Sequence, residues 1–169
     1  MVNDDWRYLQ ECTDYYLDYR MVHNMYGCLE TRWGATKDTC QLSSSGSALL
    51  TDIMILARNL GFRITEEAKQ RTDSYSNWKP GHNYTIYYSK DGVDLVFCEV
   101  KAHKKGTFHF KFCREFMRTF NVEAGRLFGW LKSPNQAANE MDESIEDMDN
   151  LFIKSYHLDI EHSPLLLSN

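Results

Sequence analysis

The stretch from Thr107 to Phe112 reads Thr-Phe-His-Phe-Lys-Phe. This period-two alternation puts Phe108, Phe110 and Phe112 on one side of an extended chain and Thr107, His109 and Lys111 on the other. Lys104-Lys105-Gly106 before it is a turn signal. Upstream, Tyr84–Tyr88 is aromatic and β-branched, Lys90-Asp91-Gly92 is a second turn signal, and Val93–Lys101 follows as another strand. Three consecutive strands joined by tight turns make an antiparallel three-stranded β-meander over about 84–112. Its Phe side is expected to cover a core, and its Thr/His/Lys side to meet solvent or a ligand.

Helices are expected on both sides of the meander, which makes the class α+β. A helix over 4–30 follows from Tyr8, Cys12, Tyr15, Tyr19, Val22, Tyr26 and Leu29 at steps of four and three, widened by Trp6, Leu9 and Tyr16. Residues 31–46 read as irregular. A nearly all-apolar helix over about 47–60 is expected in the centre of the core, closed by Gly61 and Phe62. Thr65 is placed to cap a short helix led by Glu66 and Glu67, and 73–83 reads as a loop. After the sheet, Arg114–Phe120 and Val122–Leu131 are two helical segments parted at Asn121. Ser133-Pro134-Asn135-Gln136 starts a further helix carrying Ala137, Ala138, Met141, Ile145 and Met148. Leu151–Leu158 is expected as a last strand. Residues 1–162 read as one globular domain and 163–169 as a loose tail.

The chain has 169 residues, 43% hydrophobic and 14% aromatic, enough apolar surface for a core. Its net charge of −5 argues against a general nucleic-acid binder. The charge is segregated, however. Residues 79–114 carry seven Lys and Arg against three acids, a net of +4, and residues 140–161 carry eight acids against one Lys, a net of −7. Five Cys occur without a CxxC pair, which points to free thiols in a reducing compartment rather than a zinc or redox site. The polar start and the lack of a run of ~18 apolar residues are read as no secretion signal and no membrane span. A cytoplasmic protein is expected.

Asp94…Glu99-Val100-Lys101 has the residue types of a metal-dependent nuclease: two carboxylates to hold Mg²⁺ and a Lys to position the attacking water. Glu99 and Lys101 share a strand face. Five residues separate Asp94 from Glu99, so a regular strand sends Asp94 to the opposite face, and Asp91 in the turn is its substitute. No cofactor is implied outside this Mg²⁺ reading. His103, His109, His157 and His162 have no ligand spacing, and no GxSxG elbow or Gly-rich phosphate loop is present. A helix-turn-helix reading of 113–150 would turn Glu143, Glu146, Asp147 and Asp149 toward phosphates, which their charge opposes. Those four acids suit a basic partner, even as a mimic of nucleic-acid phosphates. Lys101, Lys104, Lys105, His109, Lys111 and Arg114 form a complementary basic candidate surface.

Thr107–Phe112, Phe116, Asn121-Val-Glu-Ala-Gly-Arg-Leu127 and Gly129-Trp-Leu-Lys132 resemble the C-terminal part of an uncharacterised domain family. That family occurs in bacteriophages and mobile elements, sometimes alongside adenine DNA methyltransferases. It carries a similar His/Phe strand followed by helices with Asn-x-Glu and Gly-Trp-Leu. Lys104-Lys105-Gly106 departs from the Asn and Gly more usual there. The resemblance implies a phage or mobile-element protein acting inside a bacterial host, and no catalytic residues come with it. The expected function is a non-enzymatic protein-binding module, an inhibitor of the anti-CRISPR or anti-restriction type. Its expected partner is a host protein or protein–nucleic acid complex, without a membrane. The alternatives are the Asp…Glu-x-Lys nuclease and a nucleic-acid-binding accessory domain. Oligomeric state stays open.

Overall fold

A computed structural model describes residues 17–31 and 40–153. Among them lie eight strands and five helices. In chain order these are β1 (Arg20–Asn24), β2 (Leu29–Glu30), β3 (Cys40–Leu42), α1 (Ser44–Asn59), β4 (Arg63–Ile64), α2 (Glu66–Thr72) and β5 (Asn77–Trp78). Then come β6 (Tyr84–Lys90), β7 (Val93–His103), β8 (Thr107–Phe112), α3 (Arg114–Leu127), α4 (Pro134–Met141) and α5 (Ile145–Ile153). The fold is α+β. The meander β6-β7-β8 forms as expected and is the centre of a five-stranded antiparallel sheet, order β1-β8-β7-β6-β4. A second sheet has the order β2-β3-β5.

Phe108, Phe110 and Phe112 are buried, as their alternation predicts. Phe97 and Phe116 meet at 4.8 Å and Phe62 and Phe116 at 5.5 Å, both edge to face. Such pairs add about 0.5–1.5 kcal/mol to the burial of their apolar area. This cluster joins the inner side of the sheet to α1 and α3. A smaller core of Val122, Leu131, Ala137, Ala138 and Met148 ties α4 and α5 to α3.

Local signals place several ends where the sequence puts them. Ser43 accepts the Gly46 N–H at 3.0 Å to start α1. After α1 the Gly61 N–H donates to the Arg58 carbonyl and the Phe62 N–H to the Ala57 carbonyl, both at 2.9 Å. Gly61 takes the left-handed conformation that this cap needs, φ 88°. Thr65 caps α2. Ser133 caps α4, although Gln136 reaches back to the Lys132 N–H rather than to Ser133 itself.

Other expectations are corrected. Of the helix expected over 4–30, residues 4–16 lie outside the described residues, and 20–24 and 29–30 are strands. Pairing of 20–24 with β8 overrides the helical spacing, and Gly27 at φ 74° turns the chain between β1 and β2. Helix α1 lies at the flank of the core. Leu50, Met54 and Ala57 are buried, but Ala48 and Ile55 are exposed. The loop expected over 73–83 holds the short β5, with Trp78 buried. Asn121 does not break α3. The helix expected to run on through Ile145 and Met148 ends at Asp142, whose left-handed backbone, φ 52°, starts the turn into α5. Leu151–Ile153 belong to α5 rather than to a strand, and 154–158 lie outside the described residues.

Candidate binding face

Cross-strand partners in an antiparallel sheet point to the same side, so the register defines the outer face of the large sheet. Arg20, Lys111 and Glu99 form one row across β1, β8 and β7. Val22, His109 and Lys101 form the next, and Asn24, Thr107 and His103 the third. Arg20, Lys101, His109 and Lys111 are exposed. With Asn83 and Glu99 they line a shallow depression of about 290 Å³. Lys104 and Lys105 sit exposed in the β7–β8 turn at its rim. Arg114 stands at the adjacent corner, where its guanidinium and that of Arg20 both lie over the Tyr19 ring. The basic candidates therefore come together.

Within this face Lys111 meets Glu99 at 3.5 Å, both half-exposed, a pair whose contribution is about 0–1 kcal/mol. The rings of His103 and His109 lie 4.7 Å apart. Desolvation lowers the His103 pKa, and the nearby His109, Lys105 and Lys101 lower it further. His103 is thus held toward its neutral form.

The nuclease carboxylates are not brought together. A bulge between β6 and β7 opposes Ile86 to Cys98 but Tyr87 to Val96, leaving Phe97 as the extra residue. Phe97 and Cys98 both turn inward. The bulge reverses the alternation beyond it, so Asp94 shares the outer face with Glu99, contrary to a regular strand. Their β6 partners, Ser89 and Thr85, are four residues apart, or about 13 Å along the strand, too far to share one ion. Asp91 lies beyond in the hairpin turn, φ 53°. Glu99 instead faces Lys111. Among the described residues no three His, Cys, Asp or Glu side chains gather as metal ligands.

The acidic candidates are divided. Glu143 pairs with Arg118 at 3.5 Å. Asp147 accepts from the Ser144 hydroxyl at 2.8 Å, and the Ser144 Oγ accepts the Asp147 N–H at 3.1 Å. These contacts tie both residues into the start of α5, where Glu146 and Asp147 also suit the helix dipole. Glu146 and Asp149 are exposed. Sequence reading missed Arg20 and Val22, because the β1 segment looked helical, and Val96, because the bulge was not legible.

Cys28, Cys40 and Cys98 are buried free thiols and Cys113 is a half-buried one. Burial pushes the thiols of Cys28, Cys98 and Cys113 up, so they stay protonated. No helix among the described residues is long and apolar enough to cross a membrane. Comparison of the chain with protein-family models, curated proteins and solved structures returns no match.

Proposed function

We propose that the protein is a non-enzymatic binding module that presents the outer face of its five-stranded sheet to an acidic surface of a partner protein. The observation that carries this reading is the composition of that face. Exposed Val22 on the edge strand lies beside Arg20 and opposite His109. Lys111 and Lys101 follow on β8 and β7, and Tyr87 and Val96 continue the face across β6 and β7. Arg and Tyr beside exposed apolar residues are what protein interfaces select. Glu99 and Asp94 within the same face oppose a phosphate backbone more than a mixed-charge protein surface. The His/Phe strand and the Asn-x-Glu and Gly-Trp-Leu segments favour a phage or mobile-element setting. There the partner would belong to a host defence or DNA-transaction system, and the protein would act as its inhibitor in the bacterial cytoplasm.

Affinity capture from bacterial host lysate with the full chain and with the Lys101→Glu/Lys105→Glu variant tests this. Both side chains are exposed, so the variant should fold with unchanged thermal stability. The expected result is a protein partner that survives nuclease treatment with the wild type and is lost with the variant. Equal capture by both would overturn the assignment of the face. Capture that nuclease abolishes would favour direct nucleic-acid binding.

A further inference from the structure

Strand β1 stands at the end of the five-stranded sheet, and among the described residues β8 is its one neighbour. The direction of its backbone groups follows from the register. The Phe112 N–H donates to the Tyr19 carbonyl and the Met25 N–H to the Gly106 carbonyl, both at 2.8 Å. In an antiparallel pair, hydrogen-bonded and non-hydrogen-bonded positions alternate. Tyr19, Met21, His23 and Met25 therefore bond toward β8, and the N–H and C=O groups of Arg20, Val22 and Asn24 point to the open side. Asp18 accepts the Arg20 N–H at 3.2 Å. The Val22 and Asn24 N–H groups and the carbonyls of all three residues are left facing outward.

Edges of this kind are commonly guarded by charged side chains, Pro or a bulge. Arg20-Met-Val-His-Asn24 has no Pro or bulge, its one permanent charge is at its first residue, and its central Val22 is 62% exposed. Beneath the same strand, Leu17, Met21 and His23 border an apolar groove of about 190 Å³ that continues to Leu49, Ile53 and Leu56 of α1. Among the described residues, an unpaired strand edge and an apolar groove thus meet at one border of the sheet.

We propose that two copies of the chain pair antiparallel through β1, about a two-fold axis at Val22. The five residues are self-complementary in that register. Val22 lies opposite the second copy's Val22, and Arg20 lies opposite the second copy's Asn24, so no like charges face each other. Each Val22 N–H donates to the second copy's Val22 carbonyl, and each Asn24 N–H to the second copy's Arg20 carbonyl. Met21 comes beside the second copy's His23 on the inner side, which extends apolar cover toward both grooves. The interface is isologous and closes on itself. It joins two five-stranded sheets into one of ten strands, with both outer faces on the same side. The two basic platforms, on β7, β8 and β1 of each copy, then form one surface about 24 Å across. The pairing does not depend on what that surface binds.

Amide exchange and light scattering on the full chain, read over about a hundredfold dilution, test the pairing. The Val22 and Asn24 amides should exchange slowly in concentrated protein and rapidly on dilution, as the particle mass halves. Met21 and His23, bonded to β8, should stay slow throughout. Val22→Lys places two ammonium groups beside the two-fold axis. It should weaken association at least about tenfold while leaving the β1–β8 pairing and the folded spectrum intact. Three outcomes would overturn the proposal. The Val22 and Asn24 amides could exchange rapidly at every concentration. They could be protected in a particle of monomer mass, which would mean that the chain covers its own edge. Or a dimer could persist unchanged in Val22→Lys.

Discussion

Replacing Gly125 by Ala is expected to destabilise the protein although Ala is the better helix former. In the interior of an exposed helix the exchange gains about 1 kcal/mol. At Gly125, in α3, a Cβ would stand 2.6 Å from both Cγ and Cδ1 of Leu131 and 3.3 Å from its Cβ. Leu131 cannot withdraw freely. It is 6% exposed and packed with Val122, Ala137, Ala138 and Met148. Its N–H and that of Trp130 both donate to the Gly125 carbonyl, at 3.0 and 2.8 Å. Overpacking of this kind costs about 1–3 kcal/mol, so after the propensity gain a net loss of about 1 kcal/mol is expected. Leu131→Ala alone should cost about 2 kcal/mol, the low end for a buried Leu, because the smaller core can partly collapse. In the double variant the clash is gone and the helix gain returns. Its loss should therefore fall short of the sum of the singles by about 1–3 kcal/mol. Urea unfolding midpoints at constant m measure all three variants. A Gly125→Ala protein more stable by the full helix-propensity gain, or a strictly additive cycle, would refute the close approach of Leu131 to the helix.

Glu115 accepts from the Tyr88 hydroxyl at 3.0 Å and from Lys90 at 2.7 Å, and the Lys90 bond chiefly holds its carboxyl below the ordinary value of 4.5. A depressed carboxyl stabilises the fold above its unfolded pKa, and that stability is lost as pH falls through the lower folded value. Glu115→Gln should therefore lower stability at neutral pH and flatten the acid limb of a midpoint-versus-pH curve; an unchanged acid limb would contradict the arrangement. Gly106 combines φ 84° with a Cβ position 2.9 Å from the Met25 carbonyl oxygen. Gly106→Ala should cost at least about 2 kcal/mol, from left-handed strain plus the clash, and an unchanged melting temperature would refute this.

The legible parts of the fold are those in which local chemistry and tertiary placement agree. The Phe108/Phe110/Phe112 alternation works as a strand wherever it packs, and both meander turns have Gly at φ above +70°, Gly92 and Gly106. The Ser43, Thr65 and Ser133 caps each need only their own next few residues. The region around β1 was not legible for the opposite reason. Tyr19, Val22 and Tyr26 fit a helical spacing, and what decides their state is an edge of β8 more than eighty residues away in sequence. The break at Asp142 was missed because a non-Gly residue takes the left-handed backbone there. The basic cluster was legible as a list of residues on one face. Its reach to Arg20 and Val22 depended on the added strand.

The bulge at Phe97 decides the character of the face as well as its geometry. In a regular β7, Asp94 would alternate inward with Cys98 and Val100, where an unpaired carboxylate is costly. The extra residue lets Phe97 join the aromatic core beside Cys98 and sends Asp94 and Val96 outward instead. The outer face then has two halves. Toward β1 it is basic, with Arg20, Lys101 and Lys111. Toward β6 it is apolar and mildly acidic, with Tyr87, Val96 and Asp94. A uniformly acidic partner would satisfy the first half and be repelled at the second. A partner presenting carboxylates beside an apolar patch satisfies both, in one orientation. One inserted aromatic residue thus serves the packing of the core and also turns a basic surface into a polarised one, which under the proposed function would favour a particular protein surface over a repeating phosphate backbone.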